Sequence, residues 1–365
     1  MRAAFPHIAA LLLTLSVPGW SVDAQVSAVT KPVAASDLPR VRLVATGGSI
    51  SDKAGGRLTA GELVELMPTV GRYARPEFEQ FSNLASSQLT LDQWVSLAKR
   101  LNQIYADDPG VKGLVVTSGT DTLEELAYFL NLTVRSARPV VVVGSMRNPS
   151  TLGFEGAANL LEGFRVAADP ASAGRGVMVV LNDEINAARE VTKTDARRLN
   201  TFQTRGYGVL GVVDSDRVVF YRRVEKTHTV HSEFDLAAVT TLPRVDVVLT
   251  YQGASGDLIK AAVDAGAKGI VVAGAGEGST SGTQGEGIGY ALEKGVFVVT
   301  TTRAGSGRIA ARLRPANADP AATPTPRERA ISGEDLAPVK ARLLLMLALT
   351  KTRSGADIQR IFIQY

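Results

Sequence analysis

Four short, mostly aliphatic runs punctuate the first half of the chain: Val41 to Ala45, Leu114 to Thr117, Val140 to Val143 and Val177 to Leu181. Each lies within two residues of a Gly, Ser or Asn, so length and punctuation predict strands buried on both faces. Between them the spacing changes. Leu123, Leu126, Ala127 and Leu130 follow the i, i+3, i+4, i+7 repeat of one helix face. Thr59 with Glu62 has the form of a capping box ahead of Leu63, Leu66 and Met67. Strand and helix in alternation predict an α/β fold, an open and mostly parallel sheet with helices on both faces.

Near residue 209 the pattern shifts. Val209 to Val213 and Arg217 to Tyr221 flank Asp214-Ser215-Asp216, which predicts a hairpin. A polar stretch from Arg222 to Leu242 reads as a linker. Alternation then resumes with strand Val245 to Thr250, helix Leu258 to Ala265, strand Ile270 to Ala273, helix Ile288 to Lys294 and strand Val296 to Thr301. Residues 304–335 read as a loop, and Leu336 to Thr350 as a long helix. The expected organisation is a larger N-terminal domain over 40–221, a linker over 222–242 and a smaller C-terminal α/β domain over 243–365.

The first residues carry a different signal. Arg2, the apolar stretch Ile8 to Val17 and the small-residue site Val22-Asp23-Ala24 predict a cleavable export signal over 1–24. The alternative is an uncleaved tether, although the apolar stretch is short for a stable span. Residues 25–39, small and proline-bearing, read as a flexible lead-in. Removing residues 1–24 takes away Arg2 and Asp23 together, so the formal charge of +4 is unchanged. The expectation is a periplasmic or secreted protein that is free of the membrane once the signal is removed.

Composition narrows the chemistry. The 365-residue chain has no cysteine, which excludes disulfides, thiolate metal sites and thiol nucleophiles. Its three histidines are His7, in the export signal, and His228 and His231 in the linker. A Ser–His–Asp site is therefore disfavoured, and a zinc site with several histidine ligands more so. Basic residues are scattered rather than clustered, so no nucleic-acid partner is expected.

Two strand ends stand out, because ligands of open α/β sheets gather beyond the carboxyl ends of strands. In Thr46-Gly47-Gly48-Ser49-Ile50, paired glycines allow a sharp turn with N–H groups facing a ligand, and place the Ser49 hydroxyl beside them. The competing reading is a turn serine bonded to its own backbone. In Ser118-Gly119-Thr120-Asp121-Thr122, Thr120 and Asp121 read either as helix caps or as pocket groups at a helix start. Lys193, in Val191-Thr192-Lys193-Thr194, is by default an exposed lysine, but beside a hydroxyl it could act as a base without histidine. Gly274 to Gly289 misses the G-x-G-x-x-G spacing and reads as a structural loop rather than a nucleotide cradle.

Together these motifs resemble the bacterial-type (class 1) L-asparaginases, from about residue 41 to the C-terminus. Met146 and Arg147 after a valine strand, and the ending Ile358 to Tyr365, also resemble that family. The resemblance implies two α/β domains, a homotetramer built as a dimer of dimers, and active sites shared between neighbouring subunits. It implies a small-molecule amide as substrate, no metal or organic cofactor, and attack by a hydroxyl with release of ammonia through an acyl-enzyme. Carried over residue by residue, it places Ser49 as nucleophile, where the family normally has threonine. Thr120, Lys193 and Asp121 form a second catalytic set, with Thr120 and Asp121 also binding substrate. Ser86 would hold the substrate carboxylate, Ser87 stands where a glutamine binds the amine, and backbone near Ser145 would meet the amide.

This chain also departs from that pattern. The segment Ser51 to Leu58 is shorter than the family's lid and lacks its tyrosine, with Arg57 near that place. Residues 303–327 hold Asp319 but no glutamate to reach a neighbouring subunit, and Ala254 replaces an asparagine. The expected activity is hydrolysis of L-asparagine. Alternatives are the same chemistry on L-glutamine, a D-amino acid amide or another small amide, or an exported amino-acid binding protein without turnover. A nicotinamide enzyme is disfavoured by the failed glycine spacing.

Overall fold

The computed structural model describes residues 37–311 and 326–365. The predicted export signal with His7, most of the lead-in, and Asp319 lie outside the described residues. The first half runs β1 (Arg40–Gly47), a small hairpin of β2 (Asp52–Lys53) and β3 (Gly56–Arg57), α1 (Ala60–Glu65) and β4 (Arg75–Leu84). It continues through α2 (Leu91–Asp107), β5 (Val111–Thr117), α3 (Leu123–Thr133), β6 (Val140–Val143), α4 (Gly156–Ala168) and β7 (Val177–Leu181). Five short strands complete it: β8 (Glu184–Ala187), β9 (Val191–Lys193), β10 (Phe202–Thr204), β11 (Gly211–Val213) and β12 (Val218–Phe220). The second half runs β13 (Val245–Leu249), α5 (Asp257–Asp264), β14 (Gly269–Gly274), α6 (Gln284–Glu293), β15 (Phe297–Thr302), β16 (Ala330–Ser332), α7 (Pro338–Lys351) and α8 (Gly355–Gln364).

Two sheets result. The larger has the order β12-β11-β8-β7-β6-β5-β1-β4, parallel from β4 to β7 and antiparallel beyond. The smaller, β13-β14-β15-β16, is wholly parallel. The chain is thus α/β with a larger N-terminal and a smaller C-terminal sheet. Side chains on β6 alternate between two cores, as the two-residue period of a strand requires. Val141 and Val143 face the core under α1 and α4, while Val140 and Val142 face the core holding α2 and α3.

That second core does not stop at the first sheet. It continues through α7 and α8 to Val271 and Val299 of the second sheet. Leu343 to Leu349 are all buried, so α7 has no polar face to give to water and fills the space between the sheets. The outer face of the small sheet is closed separately by α5 and α6 around Ile259, Ile270 and Val298.

Residues 304–335 and part of 274–289 differ from expectation. Residues 222–242 connect the sheets but are anchored, because Phe234 packs on Tyr365 at 5.1 Å and Glu233 N–H donates to the Tyr365 hydroxyl at 2.6 Å. Residues 304–335, read as loop, contain β16, a three-residue strand too short to show a period. In the run 274–289, a Cβ on Gly274 would lie 2.5 Å from Gly278 Cα, so the first part closes on itself as a structural turn, while residues 284–289 already belong to α6.

Candidate active site

The strand order reverses beside β1. The chain passes from β1 to β4 on one side, then crosses to β5 and β6 on the other, which opens a crevice at the carboxyl ends of these strands. Glycines bring the loops there to van der Waals contact. Gly47 and Gly48 have φ of +106° and +89°, conformations that glycine adopts without a Cβ penalty. A Cβ on Gly48 would sit 2.1 Å from Gly119 N, and one on Gly119 would sit 2.7 Å from Ser86 Oγ. Thr46 stitches the same two strands, its Oγ1 donating to Thr117 O at 2.6 Å and its N–H to Thr117 Oγ1 at 3.1 Å. The loops that carry Ser49, Ser86 and Thr120 are therefore one packed unit.

Within that unit the predicted residues divide. Ser49 is half-buried, and among the described residues no hydrogen bond holds its hydroxyl. Its carbonyl, not its hydroxyl, closes the turn, by accepting from Asp52 N at 3.2 Å. Thr120 is buried and its Oγ1 accepts from Lys193 Nζ at 3.0 Å, while Asp121 Oδ1 lies 3.1 Å from the same ammonium. The capping alternative for this pair does not hold, since α3 starts at Leu123 and its cap position is Thr122, which makes no side-chain cap. Ser86 is buried at the head of a short turn, and Ser87 beside it is exposed. Ser145 is fully buried with its hydroxyl committed to Arg147 O at 2.6 Å, so it offers only backbone to a ligand.

Histidine is elsewhere. His228 is buried, packs where a Cβ on Gly176 would lie 3.2 Å from its ring, and so sits at the amino end of β7, opposite the crevice. Burial holds its pKa below the ordinary imidazole value, with His231 adding to the effect. Ala254 is buried, and its carbonyl accepts from Thr283 N at 3.1 Å. Arg57 lies across the β2–β3 hairpin from Asp52, 4.0 Å from its carboxylate.

Sequence reading missed the groups that brace Lys193. Glu124 Oε1 accepts from Thr192 Oγ1 and from Lys193 N, each at 3.1 Å. Lys340, in the first turn of α7, is fully buried and donates to Arg189 O at 3.1 Å and to Val191 O. Burial pushes Lys340 down to about 8, against the opposing pull of Glu124. A lysine just ahead of the leucine run of α7 was the available signal. Nearby, Arg189 makes a bidentate pair with Asp335 at 2.6 and 3.0 Å. A cavity of about 800 Å³ adjoins this bracing and is lined by Thr192, Lys193 and Lys340. Ser49, Ser86, Thr120 and Asp121 do not line it, and Lys193 is common to this cavity and the crevice.

Comparison with known proteins agrees with this architecture. The family pattern described as "Asparaginase, N-terminal" matches residues 40–226, and that described as "Glutaminase/Asparaginase C-terminal domain" matches residues 244–362. The chain is 40% identical to "L-asparaginase 2" of Bacillus subtilis (strain 168), covering 90% of this chain and 87% of that protein. It is 38% identical to "L-asparaginase 2" of Escherichia coli (strain K12), covering 91% and 95% respectively. A crystal structure of a probable cytoplasmic L-asparaginase from Campylobacter jejuni superposes with a TM-score of 0.82 at 38% identity, over 90% of this chain and all of that one. With both domain patterns matched in order over most of its length, the chain belongs to the asparaginase family and is an asparaginase-type amidohydrolase.

Proposed function

We propose that the chain hydrolyses L-asparagine to L-aspartate and ammonia, through an ester formed on Ser49. The observation that carries this reading is the contact of Lys193 Nζ with Thr120 Oγ1 at 3.0 Å, at a strand end packed against the Ser49 loop. The Ser49 hydroxyl adds to the amide carbon, its proton passes to the departing nitrogen, and the C–N bond breaks to free ammonia. Water then adds to the ester, one proton returns to Ser49, and the carboxylic acid leaves. In this scheme Thr120 and Lys193 relay protons where no imidazole is at hand. Asp121 takes the substrate ammonium, Ser86 the α-carboxylate, and the backbone at Ser145 the amide. N–H groups at the start of α3 favour a bound carboxylate.

The test is ammonia release by the chain from L-asparagine, L-glutamine and D-asparagine, beside Ser49→Ala and Thr120→Ala. Turnover of L-asparagine that both variants lose supports the reading. Silence on all three amides from folded protein refutes it, and tight amino-acid binding without turnover would replace it with a binding role. A glutamine preference is the second reading. It is favoured by the exposed Ser87 on the amine side and by the C-terminal family pattern, which covers glutaminases too.

Assembly and location belong to the same proposal. A homotetramer is supported by the exposed apolar edge formed by Val247, Leu249, Tyr251 and Leu258, of a kind that marks interaction sites. Light scattering on purified protein tests it. Export is supported by the Arg2 to Ala24 pattern, with the named cytoplasmic Campylobacter protein as the counter-case. Cell fractionation decides between them. Domain limits of 40–221 and 243–365, joined by 222–242, are likewise proposed, and limited proteolysis maps them.

A further inference from the structure

β9 is a three-residue strand paired, among the described residues, only with β10, so its own ladder does little to orient Lys193. At its tip, the Lys193 ammonium meets Thr120 and an Asp121 whose side chain is 74% exposed. What fixes the strand comes from two other elements. Glu124, in the first turn of α3, holds the Thr192 hydroxyl and the Lys193 amide with Oε1. Lys340, on α7, grips the carbonyls of Arg189 and Val191 from the interior. The two also face each other, with Lys340 Nζ 3.9 Å from Glu124 Oε2, an oxygen that is buried and has no hydrogen-bond partner among the described residues. A carboxylate in that position needs a compensating charge.

We propose that Glu124 is a positioning residue that aims Lys193 at Thr120, and that Lys340 is the buried counter-charge that faces its second oxygen and holds it in place. The proposal rests on the reading of Lys193 as a catalytic group. The other charges that face the pair are Glu125 on α3, paired with Arg342 of α7 at 3.8 Å, and Arg189 and Glu190 ahead of β9. Because burial pushes Lys340 down to about 8, it loses its charge as pH rises through that value, and Glu124 Oε2 is then left uncompensated.

The experiment measures kcat, KM and pH profile for Glu124→Gln, Lys340→Met, their double variant and Lys193→Met, with thermal unfolding of each and a crystal structure of Glu124→Gln. A misplaced catalytic group of about 1 Å predicts a kcat loss of about 10- to 100-fold in Glu124→Gln with KM changed less than about threefold. Lys340→Met should lose a similar factor and flatten the alkaline fall of kcat near pH 8. The double variant should be no slower than the slower single, because both act on one carboxylate. In the crystal, Lys193 Nζ should leave Thr120. Unchanged kcat in Glu124→Gln, multiplying losses in the double variant, or a retained 3.0 Å contact each overturns the proposal. If Lys340→Met fails to fold, Glu124→Gln and its crystal structure decide alone. Lys193→Met separates the two levels: if it retains turnover, the reading of the site fails, whatever Glu124 does.

Discussion

Replacing Gly48 by alanine tests whether the crevice depends on the contact between two loops. The added Cβ would lie 2.1 Å from Gly119 N, and atoms of this kind do not approach closer than 3.0 Å. The Ser49 and Thr120 loops must therefore separate by about 1 Å, the scale at which a catalytic geometry loses about 100-fold in rate. A second cost is conformational, since a φ of +89° is unfavourable for alanine by about 1–2 kcal/mol. Gly174→Ala is the matched control: φ is +70° and nothing lies within 4 Å of the new Cβ, so it carries the conformational cost without the clash. Thermal unfolding and kcat/KM for ammonia release are measured on both. The expectation is a loss of about 1 kcal/mol and near-normal turnover in the control, against about 3 kcal/mol and a roughly 100-fold slower enzyme in Gly48→Ala. Gly48→Ala with normal kcat/KM, and no less stable than the control, would refute the argument that this contact sets the site.

Two other outcomes follow from single groups. Ser49→Thr restores a β-methyl that confines χ1, so removing two of three rotamers predicts a rise in kcat of up to about threefold, and a fall would show that the methyl has no room. Glu162 is raised to about 8 by burial first and by Asp183 second. The folded chain therefore holds a proton that the unfolded chain releases above about 4.5, and this contribution to stability is lost as pH rises through about 8. Glu162→Gln should raise Tm above pH 8 and leave it little changed at pH 4; equal shifts at both values would contradict the assignment.

The strands that carry the crevice were legible because β1, β5, β6 and β7 are buried on both faces and need continuous apolar runs. β4 was not, because Arg75 to Leu84 is an edge strand whose ten residues mix charge with an exposed Phe78 and a half-buried Phe81. The chemistry was legible where it was local. Ser49 and Thr120 sit in short motifs at strand ends, and Lys193 in a third, though nothing in their spacing showed that the ammonium would reach Thr120 from 73 residues away. Glu124 was hidden by a role it also fills, as an acidic residue in the first turn of a helix. Lys340 was hidden by distance, since its partners lie about 150 residues earlier.

The core shared by both sheets has a consequence for the order in which a ribosome delivers the chain. The large sheet is complete by β12, but the face of α3 on which α7 packs stays open until the last part of the chain emerges. A nascent chain therefore holds a finished sheet beside an unfinished core, with the apolar surface of α3 waiting for α7. Folding of the two halves is coupled by this timing, and a chain released early would leave that face to chaperones or to aggregation.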